Sequence, residues 1–479
     1  MKIMNSHFPL ADKRVLVMGL GRFGGGVGVS RWLAEQGARV TVTDTANAEQ
    51  LAESVQKLAD LGDRITFKLG GHDLADFTAC DLLITNPAVD KAKSEFVQAA
   101  LRAGIPCTSE MNLFLERCRG FTIGVTGSVG KSTTTTLIFE AIKAGLNVQP
   151  ESNRVFLGGN IGKSLLAELP NIRPQDLIVL ELSSFMLEET AHLQWSPNIA
   201  VVTNLFPNHL DRHHTMAEYA AIKQNILKFQ KPADVAILNN DHDLISRWVH
   251  LARGKVIKYT TRGPSTLNLL MPGEHNQSNA RAALAALDHL PVAVDRAAAM
   301  RAIENFGGLA HRLQIVHATQ LAIPGEAPRT LRFYNDSKAT SPDASITALK
   351  AFAPGAAIFI VGGYDKHIDL SAFEKLLAQR AGGVIGIGQT GQAMVDQVKT
   401  AGVQCAGARI AYAQTLQQAM PLAVQWARAV AGDAGSTGEG DRPALIEAIV
   451  LSPASASWDQ YPNYEARGDL FASLARAGG

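Results

Sequence analysis

The stretch Thr126-Gly127-Ser128-Val129-Gly130-Lys131-Ser132-Thr133 holds the residue types needed to grip a phosphate. Glycines let backbone approach an anion, successive amides point inward, a lysine neutralises charge and a hydroxyl reaches a magnesium ion. Gly127, Gly130, Lys131 and Ser132 supply these parts, flanked by Ser128 and Thr133. The common pattern G-x-x-x-x-G-K-[ST] calls for glycine at position 125, where Val125 stands, and Gly124 comes one residue early. A strand-forming run, FTIGVTG, precedes the loop and a helical run from Ser132 to Ala144 follows it. That context separates a nucleotide loop from a chance glycine turn, and the helix start adds its own attraction for anions.

Phosphoryl transfer concentrates negative charge and calls for magnesium held mainly by oxygen. Glu181 ends the apolar run LIVLEL just before Ser183-Ser184, where ligands collect in open parallel sheets. The alternative is a buried, internally paired glutamate, since an unpaired buried carboxylate is costly. His209 follows another apolar run and clusters with Asp211, Arg212, His213 and His214; an active-edge site and a solvated polar turn both fit. Lys223, on the helical run AEYAAIKQNILKF, reads from spacing alone as a surface or snorkelling lysine.

Gly19-Leu20-Gly21-Arg22-Phe23-Gly24 follows the strand VLVMGL, and Asp44 ends the next strand at the spacing of a dinucleotide fingerprint. Alone, this suggests a nicotinamide cofactor and a dehydrogenase. With an ATP loop downstream, the turn reads better as a seat for the diphosphate of a nucleotide-linked substrate, with Asp44 toward its sugar or base. The run Gly24-Gly25-Gly26-Val27-Gly28 is loose for the start of a packed helix.

The elements that position these residues alternate short β-rich runs with helical ones. Val15 to Leu20, Val27 to Gln36, Arg39 to Thr43, a polar helix around Ala48 to Leu61, Ile65 to Leu69 and Asp81 to Thr85 form one such series. The rhythm restarts near Cys118-Arg119-Gly120, and the buried runs DLIVLEL and NIAVVTNL suit a sheet covered on both faces. A helix over Ala280 to Leu290 and a linker at Glu304 to Gly308 lead into strands near Arg332, Ala357 and Gly383. Ile323 to Thr330 and Gly432 to Asp441 read as exposed interruptions. The expected architecture is α/β in three domains: Rossmann-like over 1–119, a P-loop-type ATPase with a mostly parallel sheet over 120–308, and Rossmann-like over 309–479.

Bulk properties agree with this division. A chain of 479 residues, 46% hydrophobic, can bury more than one core. Lysine plus arginine (45) nearly cancels aspartate plus glutamate (44), which argues against a nucleic-acid surface or attraction to acidic lipid. Cys80, Cys107, Cys118 and Cys405 lack CxxC spacing, so a reducing cytoplasm is expected rather than disulfides or zinc. MKIMNSHFPLADKR has no apolar signal core, and no run approaches the roughly 18–20 apolar residues of a membrane span.

Taken in order, TGSVGKST at Thr126, GGNIG at Gly158, LELSSFMLE at Leu180, NHLDRH at Asn208, YAAIKQNIL at Tyr219, GEHNQSNARAA at Gly273, HRLQ at His311, NDSKATS at Asn335, GGYDKHIDL at Gly362 and LSPASASWDQYPNYEARG at Leu451 resemble the Mur ligase family over nearly the whole chain. The resemblance implies an ATP- and magnesium-dependent ligase, with manganese as a substitute ion, most similar to the members that add D-glutamate to UDP-N-acetylmuramoyl-L-alanine. It implies ATP phosphates and magnesium at Lys131 and Ser132, further metal contacts at Glu181 and His209, and a carbamylated Lys223 as an oxygen ligand. Asn276 and Asn279 would meet adenine, Arg312 and Asp336 phosphate and ribose. Arg22, Phe23, Asp44, Thr45, Asn86, Asn160 and Ser183 would seat the UDP substrate, and Lys338, Thr340, Lys366, Ser457 and Tyr464 the D-glutamate. A cytoplasmic monomer without nucleic-acid or membrane partners is expected.

Departures from the family pattern are Val129 where asparagine is usual, a longer first glycine turn, and Asn86-Pro87-Ala88 in place of Ser-Pro-Gly. A sister Mur ligase or a folate polyglutamate ligase would keep the central loop. The N-terminal glycine turn argues against the folate enzyme, and SPASASWDQY against the other Mur steps. A non-catalytic nucleotide switch would need no amino-acid pocket.

Overall fold

Branched aliphatic runs bounded by glycine, proline or aspartate form the strands, and in a parallel sheet covered on both faces such runs are apolar throughout. The computed structural model describes residues 8–21, 24–87, 89–146, 153–262, 267–402, 409–434 and 445–478. Arg22, Phe23, Ala88, Cys405 and most of the Gly432–Asp441 stretch lie outside the described residues. The chain divides into two compact units, one of residues 1–266 and 278–303, the other of 267–277 and 304–479.

The first unit carries two sheets. One comprises β1 (Arg14–Met18), β2 (Arg39–Asp44), β3 (Ile65–Leu69), β4 (Leu82–Thr85) and β5 (Cys107–Thr108), all parallel, in the order β3-β2-β1-β4-β5. The strand order reverses between β1 and β4, which opens a crevice at their carboxyl ends. The other sheet holds β6 (Phe121–Thr126), β7 (Val155–Gly159), β8 (Leu177–Glu181), β9 (Ile199–Val202), β10 (Val235–Asn239) and β11 (Lys255–Tyr259). Its order is β11-β10-β9-β6-β8-β7, again parallel, with every residue of β8, β9 and β10 buried. Helix Lys131–Gly145 leaves β6 through the phosphate loop.

In the second unit β12 (Gln314–Leu321), β13 (Arg329–Asn335), β14 (Ala357–Val361), β15 (Gly383–Ile387), β16 (Ile410–Gln414) and β17 (Ala448–Leu451) form a sheet of order β12-β13-β17-β14-β15-β16. It is parallel except for the edge strand β12, which runs antiparallel to β13. The stretch read as an interruption at Ile323 to Thr330 is mainly the hairpin connection between those two strands.

The strands expected at Ile65 to Leu69 and near Arg332, Ala357 and Gly383 are all present. The polar helix expected around Ala48 to Leu61 is instead a short helix, Ala52–Gln56, and a 3₁₀ turn, Ala59–Arg64, interrupted at Gly62 with φ 51°. No helix among the described residues is long and apolar enough to cross a membrane.

Candidate active site

The phosphate loop is held from the exit of β9. Val129 N–H donates to Asn204 Oδ1 at 2.8 Å and Ser128 N–H to Asn204 O at 3.1 Å. Thr203 Oγ1 and Asn204 Nδ2 donate back to Val129 O at 2.8 and 2.9 Å. Ser128 commits its hydroxyl as well, donating to Phe206 O at 2.9 Å and accepting from Phe206 N–H at 2.8 Å. The side chain of Ser128 is therefore scaffold, and the helix start at Lys131, Ser132 and Thr133 is left to offer amides to an anion. Lys131, half-buried, donates from Nζ to Ser128 O at 3.0 Å.

The close approach at Gly127 tolerates no side chain. A Cβ there would lie 1.9 Å from Thr203 Oγ1 and 3.2 Å from Asn204 N. Thr203 is short, buried and tied into the loop, so it cannot swing aside. Gly127→Ala is expected to destabilise the fold by roughly 1–3 kcal/mol. Denaturant midpoints of the variant and wild type check this, and an unchanged value would contradict the packing account.

Glu181, at the end of β8 and 2% exposed, accepts from Asn160 Nδ2 at 2.9 Å through Oε1. Its Oε2 is buried without a hydrogen-bond partner. Lys223, on helix Met216–Lys223, is 1% exposed, which corrects the surface lysine suggested by spacing. Its Nζ donates to Gly127 O at 2.9 Å and to Thr126 Oγ1 at 3.2 Å, and it lies 4.8 Å from the centre of the Tyr219 ring. Burial, and then the charge of Lys131, hold its pKa well below the ordinary lysine value against the opposing pull of Glu181.

The histidine cluster divides by role. His213 is buried, stacks on Phe185 and Tyr219, and places Nε2 2.9 Å from Ser184 Oγ. Arg212 pairs with Glu188 at 3.5 Å and lies over the Phe185 ring. His209 is exposed, in a left-handed conformation with φ 53°, and partial burial and then Lys131 lower its basicity. Among the described residues no group of three His, Cys, Asp or Glu side chains converges on a metal position. The buried, unpartnered oxygen of Glu181 and the Ser132 hydroxyl suit an oxygen-preferring ion bound together with phosphate.

A cavity of about 650 Å³ opens at the carboxyl ends of β1 and β4, the switch point of the first sheet. The glycine turn from Gly19, Asn86 and Pro87 line one side, and Asn160, Lys163, Ser183 and Phe185 another. Neither Asp44 nor Thr45 lines it. Asp44 braces the turn instead: Oδ2 accepts from Leu20 and Gly21 N–H at 2.9 and 3.1 Å, and Oδ1 from Ala46 N–H at 2.9 Å. The glycine run that looked loose starts helix Gly25–Glu35, because a Cβ on Gly26 would lie 2.2 Å from Leu20 O.

The two asparagines that the resemblance assigns to adenine are both hydrogen-bonded within the protein. Asn279 Oδ1 accepts from Thr134 Oγ1 at 3.2 Å, and Asn276 Nδ2 donates to Pro272 O at 2.7 Å.

In the second unit, loops at the carboxyl ends of β13, β14 and β17 gather the remaining candidates. Asp336 accepts from Ser452 Oγ at 2.8 Å and from Leu313 N–H at 3.1 Å, and burial pushes its carboxyl up to about 7. Arg312 adjoins it through Leu313, its N–H donating to Leu309 O at 3.0 Å. Lys338 lies over the Tyr464 ring at 5.1 Å, and Lys366 over the Trp458 ring at 5.5 Å while donating to Thr340 O at 3.3 Å. Ser457 is buried, and burial raises the Tyr464 hydroxyl to about 12.

Arg467 was not among the expected residues. It is 1% exposed and donates to Ser337 Oγ, Ser337 O, Ala456 O and Ser455 O at 3.0, 2.9, 3.0 and 3.1 Å. It thereby ties the loop after β13 to the loop after β17. The available signal was its place on the buried stripe of helix Tyr464–Gly478, four residues before Phe471.

Residues 125–268 match the family model described as Mur ligase middle domain, and residues 13–109 the one described as Mur ligase MurD-like, N-terminal domain. The chain is 35% identical to the UDP-N-acetylmuramoylalanine–D-glutamate ligase of Pelotomaculum thermopropionicum, over 96% of this chain and 97% of that one. It is also 35% identical to the enzyme of the same name from Symbiobacterium thermophilum, over 94% and 97%. A solved structure of MurF from Acinetobacter baumannii matches with a TM-score of 0.54 at 15% identity, covering 97% of this chain and 94% of that one, a likeness of fold alone.

Proposed function

The chain belongs to the Mur ligase family, and from that membership we infer an ATP-dependent ligase that joins D-glutamate to UDP-N-acetylmuramoyl-L-alanine in peptidoglycan precursor synthesis. The observation that carries this reading is the end-to-end likeness to D-glutamate ligases. The alanine carboxylate attacks the γ-phosphorus of ATP, the bond to the ADP oxygen breaks and an acyl phosphate forms. The D-glutamate amine then attacks the acyl carbon, phosphate departs and the amine gives up a proton. Holding such reactants in register is worth roughly 7–11 kcal/mol.

We propose that Lys131 and the amides of Lys131, Ser132 and Thr133 hold the ATP phosphates on a loop shaped by Gly127, Ser128 and Gly130. Asn276, Asn279, Arg312 and Asp336 are proposed as further ATP contacts. Bound magnesium would neutralise phosphate charge, and Ser132, Glu181 and His209 would hold it, a role supported by the unpartnered Glu181 oxygen. Lys223, as a carbamate, would add oxygen donors. The cavity at the first sheet would take the UDP portion, with Asn86, Asn160 and Ser183 at its wall and Asp44 fixing the glycine turn. Lys338, Thr340, Lys366, Ser457 and Tyr464 would receive D-glutamate, whose two carboxylates call for cations and hydroxyls. Division into domains at 119/120 and 308/309, a cytoplasmic location and a monomeric state complete the proposal.

An ADP-release assay with a panel of amino acids tests it. Release is expected only with D-glutamate and UDP-N-acetylmuramoyl-L-alanine both present. Release supported by another amino acid and not by D-glutamate would overturn the substrate assignment.

A further inference from the structure

The wall of the 650 Å³ cavity contributed by residues 159–186 consists of Gly159, Asn160, Gly162, Lys163, Ser164, Ser183, Phe185 and Met186, so Lys163 is its one charged side chain. The facing wall is the glycine turn, and among the described residues of the lining the other cation is Lys57, which is paired with Glu53 at 2.6 Å. Lys163 is exposed and has no hydrogen bond or ion pair among the described residues. Its backbone is nevertheless fixed, because Ser164 donates to Glu110 Oε1 at 2.5 Å and packs so closely on Gly28 that a Cβ there would lie 2.7 Å from Ser164 Cβ. Glu110, the acidic residue of the lining, is engaged by Ser164 rather than by Lys163, and burial raises its carboxyl pKa.

A lysine on a held turn, without an ion pair and lining the cavity together with a glycine-rich turn, is placed for an anion lodged between the two. We propose that Lys163 is a substrate-binding residue that contacts the diphosphate of the UDP-linked substrate. This deepens the reading of the cavity as the UDP pocket and rests on it. Asn160, three residues earlier, bonds Glu181, so the same turn reaches from the cavity to the proposed reaction centre.

The test is titration calorimetry of the full-length protein with UDP and with uridine, for wild type, Lys163→Met and Lys163→Arg. Lys163→Met is expected to weaken UDP binding roughly ten- to a hundredfold, to leave uridine binding unchanged and to reduce the salt dependence of UDP binding. Lys163→Arg is expected to recover most of the loss, and equal thermal midpoints would show that the fold persists. If wild type binds neither ligand, the pocket reading itself fails. If wild type binds UDP and Lys163→Met binds it equally well, or loses uridine to the same degree, the pocket stands and the assignment of Lys163 falls.

Discussion

Lys131→Ala is expected to lower turnover by about 10³-fold or more, as removal of a charge that meets developing phosphate charge typically does. The side chain is half-buried at the start of helix Lys131–Gly145, so truncation should leave folding intact. Its charge also acts on neighbouring bases: it lowers the basicity of His209 and of Lys223. The variant should therefore raise the His209 pKa, which proton NMR titration of the histidine rings can follow without any substrate. Lys131→Arg should not restore activity, because a planar fork does not replace a compact ammonium within a tight loop. Turnover within tenfold of wild type would remove the loop lysine from the mechanism, and an unmoved His209 would sever the electrostatic link.

Much of this frame was legible in the chain. Buried strands such as LIVLE and IAVV announced themselves by continuous apolar runs, and the glycine loop by its strand-to-helix context. Lys223 was not legible, because helical spacing reports which face a residue occupies and not what covers that face. Tyr219, four residues earlier and itself buried, was the clue that this face is internal. Asp44 shows the complementary limit: its spacing predicted a carboxylate directed at the sugar or base of a nucleotide-linked substrate, and in the fold it accepts from the amides of the glycine turn itself. Whether it bonds the turn or a ligand depends on backbone N–H directions that the residue pattern leaves open. The histidine cluster resolved only through packing, with His213 held between aromatic rings and His209 exposed on a left-handed backbone beside Phe185. Arg467 escaped notice because its partners are mostly backbone carbonyls, and no residue type advertises those.

The buried lysine also carries the second large effect. A cation enclosed beside Lys131 is disfavoured, so the folded state holds Lys223 with a lowered pKa while the unfolded chain keeps the ordinary one. Between those two values the unfolded state binds more protons, so stability should rise with pH through that window. The same depression leaves more neutral amine at neutral pH, the form that attacks carbon dioxide. On the carbamylation proposed for Lys223, a nitrogen–carbon bond would form, one proton would leave, and an anionic carbamate with two oxygens would stand in place of the amine. Depleting the buffer of carbon dioxide is expected to lower turnover, and bicarbonate to restore it. With ¹³C-bicarbonate, wild type should show a carbamate resonance that Lys223→Met lacks. Lys223→Met should lose about 10²-fold or more in turnover, as for a lost group that acts on the transition state. It should also flatten the rise of the thermal midpoint with pH, because no buried amine remains to be deprotonated. A Lys223→Met enzyme that keeps its turnover, or a wild type indifferent to bicarbonate and without the resonance, would leave Lys223 as a structural donor to Gly127 and Thr126 and nothing more.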